Sequence, residues 1–426
     1  MVKAWQPMVK AKARSTKELT IYTITRMAVN PSKMPGMTEY PSQHQTSIKP
    51  FSSLEMDAPK KTIIITGSKI ESSTLFNNGL IQNVYVLYKM FESMGWISII
   101  ITDALPSSLE NIPRFMHTVR MMTLDAFVKA GIHIHVMLEV GMSIDPAIKK
   151  MYKDRGSKIF RLYLGNILNI DVETPFMYPG LYFPHHVQGH IDTAFVSPHY
   201  SQHSQYASAV TQSPLKDDMS NVVPYVWDAT VLTNKGQRIF RWKAPTPGEE
   251  VFVIVEPNIS FQKTSLVPLC IVEAWYRKNP GWKGKVVVVN GHVLQQVPYF
   301  KNTLEKDFDI IRDNKVEFRN RMYIIDILTE FPSAIPICHQ WNNEYNYMIL
   351  EYFHALFPVV HNVENWSNYG YYYKDSSVYQ GANIIQTVLH KHKDSLEIYE
   401  SHMQILSWRH SPYNPDIQAE WERRCV

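Results

Sequence analysis

The sequence predicts an α/β protein built on parallel sheets, and two observations carry that reading. First, short β-branched runs alternate with helical stretches: Lys61–Thr66 reads as a buried strand, and Ile97–Ile101 as the next. Between them Leu80, Val84, Leu87, Phe91 and Met94 recur at 4-3-4-3 spacing on one helix face, and Gly95 stops the helix. Second, the same alternation resumes in the C-terminal half, with strand runs at 251–255, 285–290, 334–338 and 358–361.

Taken in order, Ile132–Leu138 and Lys158–Leu164 continue the first sheet. Residues 171–221 are rich in Pro, His, Ser and Gln and read as loop. The change to a second α/β unit falls near Val222–Ala229, and Gln380–Lys391 is a late helix. The expected organisation is an N-terminal extension over 1–57, one domain over 58–224 and a second over 225–395. A tail over 396–426, carrying Trp408 and Trp421, packs back on the body.

Hydrophobic residues make up 45% and charged residues 19% of the 426, which indicates a globular chain rather than a disordered one. No apolar run reaches the ~18 residues of a membrane span, and the N-terminus lacks the apolar core of a signal peptide. Cys270, Cys338 and Cys425 are too far apart for a disulfide framework or a zinc site, so the expected compartment is the reducing cytoplasm. Residues 1–61 hold ten Lys/Arg against four Asp/Glu, whereas the remainder is near neutral, which argues against nucleic-acid binding. The basic extension reads as a flexible tail with weak membrane-surface contact as its alternative, and Leu19–Thr25 is its one strand-like run.

The densest chemistry lies in 338–362, which reads as strand, polar loop, helix and strand. In open α/β sheets ligands bind where strands hand over to helices, and the helix N-terminus favours an anion such as a diphosphate. His339, Gln340 and Asn343 sit on that loop, Asn346 opens the helix, and Glu351 lies about two turns in, suited to a sugar hydroxyl. A second such unit is Val251–Val255 followed by Glu256-Pro257-Asn258-Ile259-Ser260-Phe261-Gln262-Lys263, with Thr264 or Ser265 capping a helix. Lys263 there can meet a phosphate as a point charge; otherwise it is a solvated loop lysine.

Asn77, Asn78, Gly79 and Gln82 follow the first strand and either touch a ligand or cap the helix. Glu139 ends the 132–138 strand, where a carboxylate can act as general base on a hydroxyl. His133 and His135 share one strand face and read as core histidines. His185, His186, His190, His199 and His203 match no zinc spacing and read as a polar loop. Asp307-Phe308-Asp309 has a metal-binding spelling in a charged helical context, and Gly67-Ser68-Lys69 lacks the glycine a P-loop needs at position 62. No metal site is expected.

The segments NNGLIQNVYVLY (77–88), EVG (139–141), VVPYVWDA (222–229), FVIVEPNISFQK (252–263), HQWNNEYNY (339–347), FPVVHN (357–362) and GYYY (370–373) together resemble a glycosyltransferase-like family of the two-Rossmann (GT-B) type. The resemblance implies two Rossmann-like domains facing each other across a cleft and transfer of a sugar from a nucleoside-diphosphate sugar, without a cofactor or required metal. It implies a donor site of Asn258, Ser260, Lys263, His339, Gln340, Asn343, Asn346 and Glu351, and a glycan or glycoconjugate acceptor over Asn78, Gly79 and Gln82. Glu139 and Lys263 are the implied catalytic residues. The paired glutamates of the large retaining families would fall at Asn343 and Glu351, so the second matches and the first does not. The alternatives are a nucleotide-sugar epimerase of the same fold and a non-catalytic glycan-binding protein.

Overall fold

The computed structural model describes residues 60–72, 75, 79–177, 189–216, 218–234 and 237–426. Leu19–Thr25, Asn77, Asn78, His185 and His186 lie outside the described residues. The structure is mixed α/β with parallel sheets. The first sheet holds β1 (Thr62–Gly67), β2 (Ile97–Thr102), β3 (Met121–Thr123), β4 (Val136–Glu139), β5 (Lys158–Tyr163) and β6 (Thr193–Val196). Their order is β3-β2-β1-β4-β5-β6, every pairing parallel. β1 lies between β2 and β4 and is buried along its whole length, which is why TIIITG is apolar on both faces.

Helices α1 (Gly79–Ser93), α2 (Leu124–Ala130), α3 (Pro146–Asp154), α4 (Ile167–Met177) and α5 (Ser204–Thr211) connect or flank these strands. The expectation of a loop over 171–221 is corrected in part: the end of α4, β6 and α5 interrupt it. TAFV is too short, and SQYASAVT too poor in apolar residues, to announce a strand and a helix. His133 is also exposed rather than core, while His135 is half-buried and its Nδ1 accepts from Thr62 N at 3.0 Å.

After a small hairpin, β7 (Thr233–Asn234) with β8 (Gln237–Arg238), comes a second parallel sheet. Its strands are β9 (Val251–Ile254), β10 (Lys285–Val288), β11 (Val316–Phe318) and β12 (Ile335–Pro336), in the order β11-β10-β9-β12. Helices α6 (Leu266–Tyr276), α7 (Gly291–Gln295), α8 (Ile324–Glu330) and α9 (Tyr347–His354) alternate with them. Beyond β12, a short pair, β13 (Val360–His361) with β14 (Tyr371–Tyr372), is joined to its edge by an Ile337–Val360 bridge.

Three further helices follow: α10 (Val378–Lys391), α11 (Leu396–His410) and α12 (Pro415–Cys425). α12 buries Ile417, Trp421 and Cys425 in the core of the first sheet, where Trp421 meets Phe91 edge-on at 6.0 Å and donates to Pro224 O at 3.1 Å. Trp408 stays exposed. No helix among the described residues is long and apolar enough to cross a membrane.

Candidate functional site

Both sheets reverse their strand order at one point, and a ligand crevice opens outside the strand C-termini at such a switch. In the second sheet the switch lies between β9 and β12. The chain leaving β9 is the Glu256–Lys263 loop, and the chain leaving β12 is the Cys338–Asn346 loop. Topology therefore places the two most informative segments side by side. Trp341 N joins them by donating to Gln262 O at 3.3 Å.

The first loop is closed by Asn258, which holds a left-handed φ of 55° that asparagine tolerates better than most residues. Its N–H donates to Lys263 O at 3.0 Å, and its Oδ1 accepts from Ser265 N at 2.7 Å. Lys263 N then bonds Ser260 O at 3.2 Å. Asn258 thus spends its side chain on shaping the loop. Lys263 is half-buried at the start of α6; burial lowers its ammonium's pKa, Glu256 raises it, and Arg321 lowers it further. Arg321 comes three residues after β11, so two cations approach one place from different strands.

Glu256 sits beneath them, 0% exposed. Its Oε1 accepts from Gln340 Nε2 at 2.9 Å and more weakly from His339 N at 3.4 Å. Its Oε2 is buried without a hydrogen-bond partner among the described residues. Burial pushes the carboxyl up to about 8, against the pull of Lys263.

The second loop is ordered by reciprocal bonds of 2.7 Å, Gln340 N to Asn362 Oδ1 and Asn362 Nδ2 to Gln340 O. Asn346 caps α9, accepting from Met348 N at 3.0 Å. His339 is buried, and burial alone lowers its imidazole to about 4, so it is neutral at physiological pH. The Tyr373 hydroxyl donates to Cys338 O at 2.9 Å and lies 2.9 Å from His339 Nδ1. A phenol has one proton to give, so Nδ1 is the donor and Nε2 keeps its lone pair, 3.4 Å from Ser376 Oγ. Trp341, 50% exposed, presents an aromatic face at the same loop.

Residues of the first sheet's connections reach both loops. Tyr200 OH donates to Asn343 Oδ1 at 2.5 Å, and Asn343 Nδ2 donates to Gln340 Oε1 at 3.3 Å. With the Gln340–Glu256 bond, this makes a buried relay from Tyr200, just beyond β6, to Glu256. Asn166 Nδ2 donates to Asn342 O at 2.6 Å, and Glu173 Oε1 accepts from Phe261 N at 3.1 Å. Gly79 O accepts from Tyr347 OH at 2.6 Å, and Tyr347 OH accepts from Asn83. Gln82 is buried beside it, with Nε2 on Leu75 O at 3.3 Å and Oε1 unpartnered among the described residues.

Glu139 requires correction. It ends β4 as expected but is 1% exposed, with Oε1 accepting from Ile144 N at 2.7 Å and lying 3.3 Å from Lys149 Nζ. Its Oε2 accepts from Arg161 Nη1 at 3.1 Å. A carboxylate 1% exposed and clamped between two cations is poorly placed to take a proton from a hydroxyl; it braces the loop after β4. Glu351 is 2% exposed on the inner side of α9, electrostatically coupled to Tyr225, Tyr347 and Tyr352. Asp309 pairs with Arg277 and Arg312, and no three His, Cys, Asp or Glu among the described residues gather as a metal site.

The family model described as "Protein of unknown function (DUF2827)" matches residues 63–425. This chain belongs to the DUF2827 family. No curated protein matches it in sequence. Solved structures match the DUF2827 chain in fold. An alpha-glucosyltransferase in complex with UDP and a 13-mer DNA containing an HMU base is 10% identical over 86% of this chain and 100% of that one, with a TM-score of 0.53. A TarM variant from S. aureus, in complex with Fondaparinux, alpha-GlcNAc-glycerol and UDP, is 9% identical over 86% and 99%, with a TM-score of 0.51. A glycosyltransferase from Rickettsia africae ESF-5 is 12% identical over 86% and 98%, with a TM-score of 0.50. At such identities the likeness shows the fold, which is that of GT-B glycosyltransferases.

Glu256, Arg321, Trp341 and Tyr200 are the site residues that sequence reasoning passed over. Glu256 opens the quoted EPNIS string and carried a signal: an acid directly after a fully apolar strand run.

Proposed function

We propose that this protein is a glycosyltransferase that takes a sugar from a nucleoside-diphosphate sugar and passes it to a glycan or glycoconjugate acceptor. In this reading two Rossmann-like domains, 58–224 and 225–395, face each other across a cleft, and no metal is required. The observation that carries it is the convergence of Lys263, Arg321 and the β9–α6 and β12–α9 loops at the switch point of the second sheet.

Lys263, Arg321 and the N-terminus of α6 would offset the charge that builds on the departing diphosphate. Asn258 and Ser260 shape that loop. His339, Gln340, Asn343, Asn346 and Glu351 form the donor wall, and Trp341 offers a stacking face. Gly79 and Gln82, at the switch point of the first sheet, would receive the acceptor together with Asn78. The α-glucosyltransferase and the TarM variant of similar fold were both solved in complex with UDP, which supports a nucleoside diphosphate as ligand.

The test is incubation of the full chain with UDP-, GDP- and dTDP-sugars, with and without glycan acceptors. Release of nucleoside diphosphate is the expected result. Interconversion of sugars without release would indicate an epimerase, and binding without turnover a glycan-binding protein.

A further inference from the structure

We propose that Glu256 works as a neutral carboxylic acid whose Oε2–H is donated to an oxygen of the bound donor, so that a nucleoside diphosphate binds together with one proton. This rests on the donor-site reading above and goes beyond it by assigning a residue and a protonation state. The geometry is specific. One carboxyl oxygen is held by Gln340, and the other is fully buried at the β9–β12 switch with no hydrogen-bond partner among the described residues. A buried polar atom without a partner is unfavourable, so a ligand atom that satisfies it gains correspondingly.

Charge decides which ligand atom that is. An ionised Glu256 would set an anion beside an incoming diphosphate, whereas a neutral one supplies a hydrogen-bond donor. The groups around it favour the neutral form. Lys263 on its own loop acts through space and makes no hydrogen bond to Oε2. His339, on the β12 loop, is neutral. Cys338 and, from β14's end, Tyr373 are buried with their pKa values raised, so both stay neutral and leave the carboxyl's charge unbalanced by either. Arg321 is the remaining cation in reach of Lys263. Burial accordingly holds the free carboxyl's pKa near 8, and a diphosphate nearby raises it further. The sign follows: the competent form is complete well below that value and is lost as pH rises through it.

The test is calorimetry of the full chain with UDP, GDP and dTDP in two buffers of different ionisation enthalpy. At about pH 8.5 the wild type should take up about 0.8 proton per ligand bound, that being roughly the ionised fraction of a group titrating near 8. From about pH 7 to about pH 9 the affinity should fall about tenfold, as the competent fraction drops to about one in eleven. Lys263→Arg keeps the cation but removes the lysine's own titration, and it should still take up the proton. Glu256→Gln carries a permanently neutral amide and should bind with no uptake and a flat pH profile. Absent uptake in the wild type or in Lys263→Arg overturns the proposal, as does uptake that persists in Glu256→Gln. If Glu256→Gln does not fold, as circular dichroism would show, uptake in the wild type and Lys263→Arg decides alone. A wild type that binds none of the three nucleotides at about pH 7 overturns the donor-site reading itself.

Discussion

Replacing Lys263 by alanine separates binding chemistry from folding more cleanly than any other change in this site. The side chain is half-buried, and among the described residues its ammonium makes no hydrogen bond or ion pair; its backbone is engaged through Asn258 N and Ser260 O. Its burial lowers its own pKa, so the native state gains little from it. Removing it deletes the one cation that pulls Glu256 down, and Glu256 responds by staying neutral rather than becoming an uncompensated buried charge. Stability should therefore change by no more than about 0.5–1 kcal/mol. The lost electrostatic term in the transition state is larger, about 2–4 kcal/mol. At 1.36 kcal/mol per decade that is roughly a 30- to 900-fold loss of kcat/KM. The assay is nucleoside-diphosphate release from the donor that the wild type accepts, paired with a urea melt of both proteins. A variant with near-wild-type kcat/KM would refute the phosphate role. A variant that lost several kcal/mol of stability would refute the claim that the lysine is free of structural duty.

Acid should destabilise the protein before most carboxylates titrate. His361, His392 and His410 are held near 4, 4 and 3 by burial, so their stabilisation is complete above the unfolded value of about 6.5 and is lost as pH falls toward those values. The loss should reach roughly 2 kcal/mol per imidazole near pH 4.5, read from urea melts across that range. Gly141→Ala should cost about 1–3 kcal/mol by the same melts, since a Cβ there would lie 2.9 Å from Leu80 Cδ2 and 3.2 Å from the backbone of Gly67. In a double-mutant cycle, Tyr200→Phe and Asn343→Ala should couple by about 0.5–3 kcal/mol in nucleotide affinity; additivity would break the relay. Turnover should persist in EDTA, and loss on chelation restored by manganese would replace the metal-independent reading.

What the sequence disclosed depended on how much of each feature was local. Strands such as β1, β2, β9 and β10 were legible because each is packed from both faces, which demands a predominantly apolar run. β3 and β6 were harder, with three and four residues, too few to show a period. The site followed the same rule. Lys263, Gln340 and Asn343 could be picked out because they stand on polar loops directly after apolar strands, where chemistry collects in any α/β sheet. Glu139 stood in the same kind of place and was misjudged. Its partners Arg161 and Lys149 come from the neighbouring strand and the following helix, and no local pattern shows that they close on it. Tyr200 lay hidden in a histidine-rich stretch read as loop, and its hydroxyl finds Asn343 across 143 positions of sequence. Arg321 belongs to a polar run after β11, and its charge counts only because Lys263 arrives from two strands away. Glu256 is the sharpest case. As a residue it is an acid between a strand and a proline; as a chemical group it is defined by desolvation and by an empty place at Oε2. Both of those are properties of the packed site, created when the Gln340 loop folds over it, so the protonation state that governs its role exists only once β9 and β12 lie side by side.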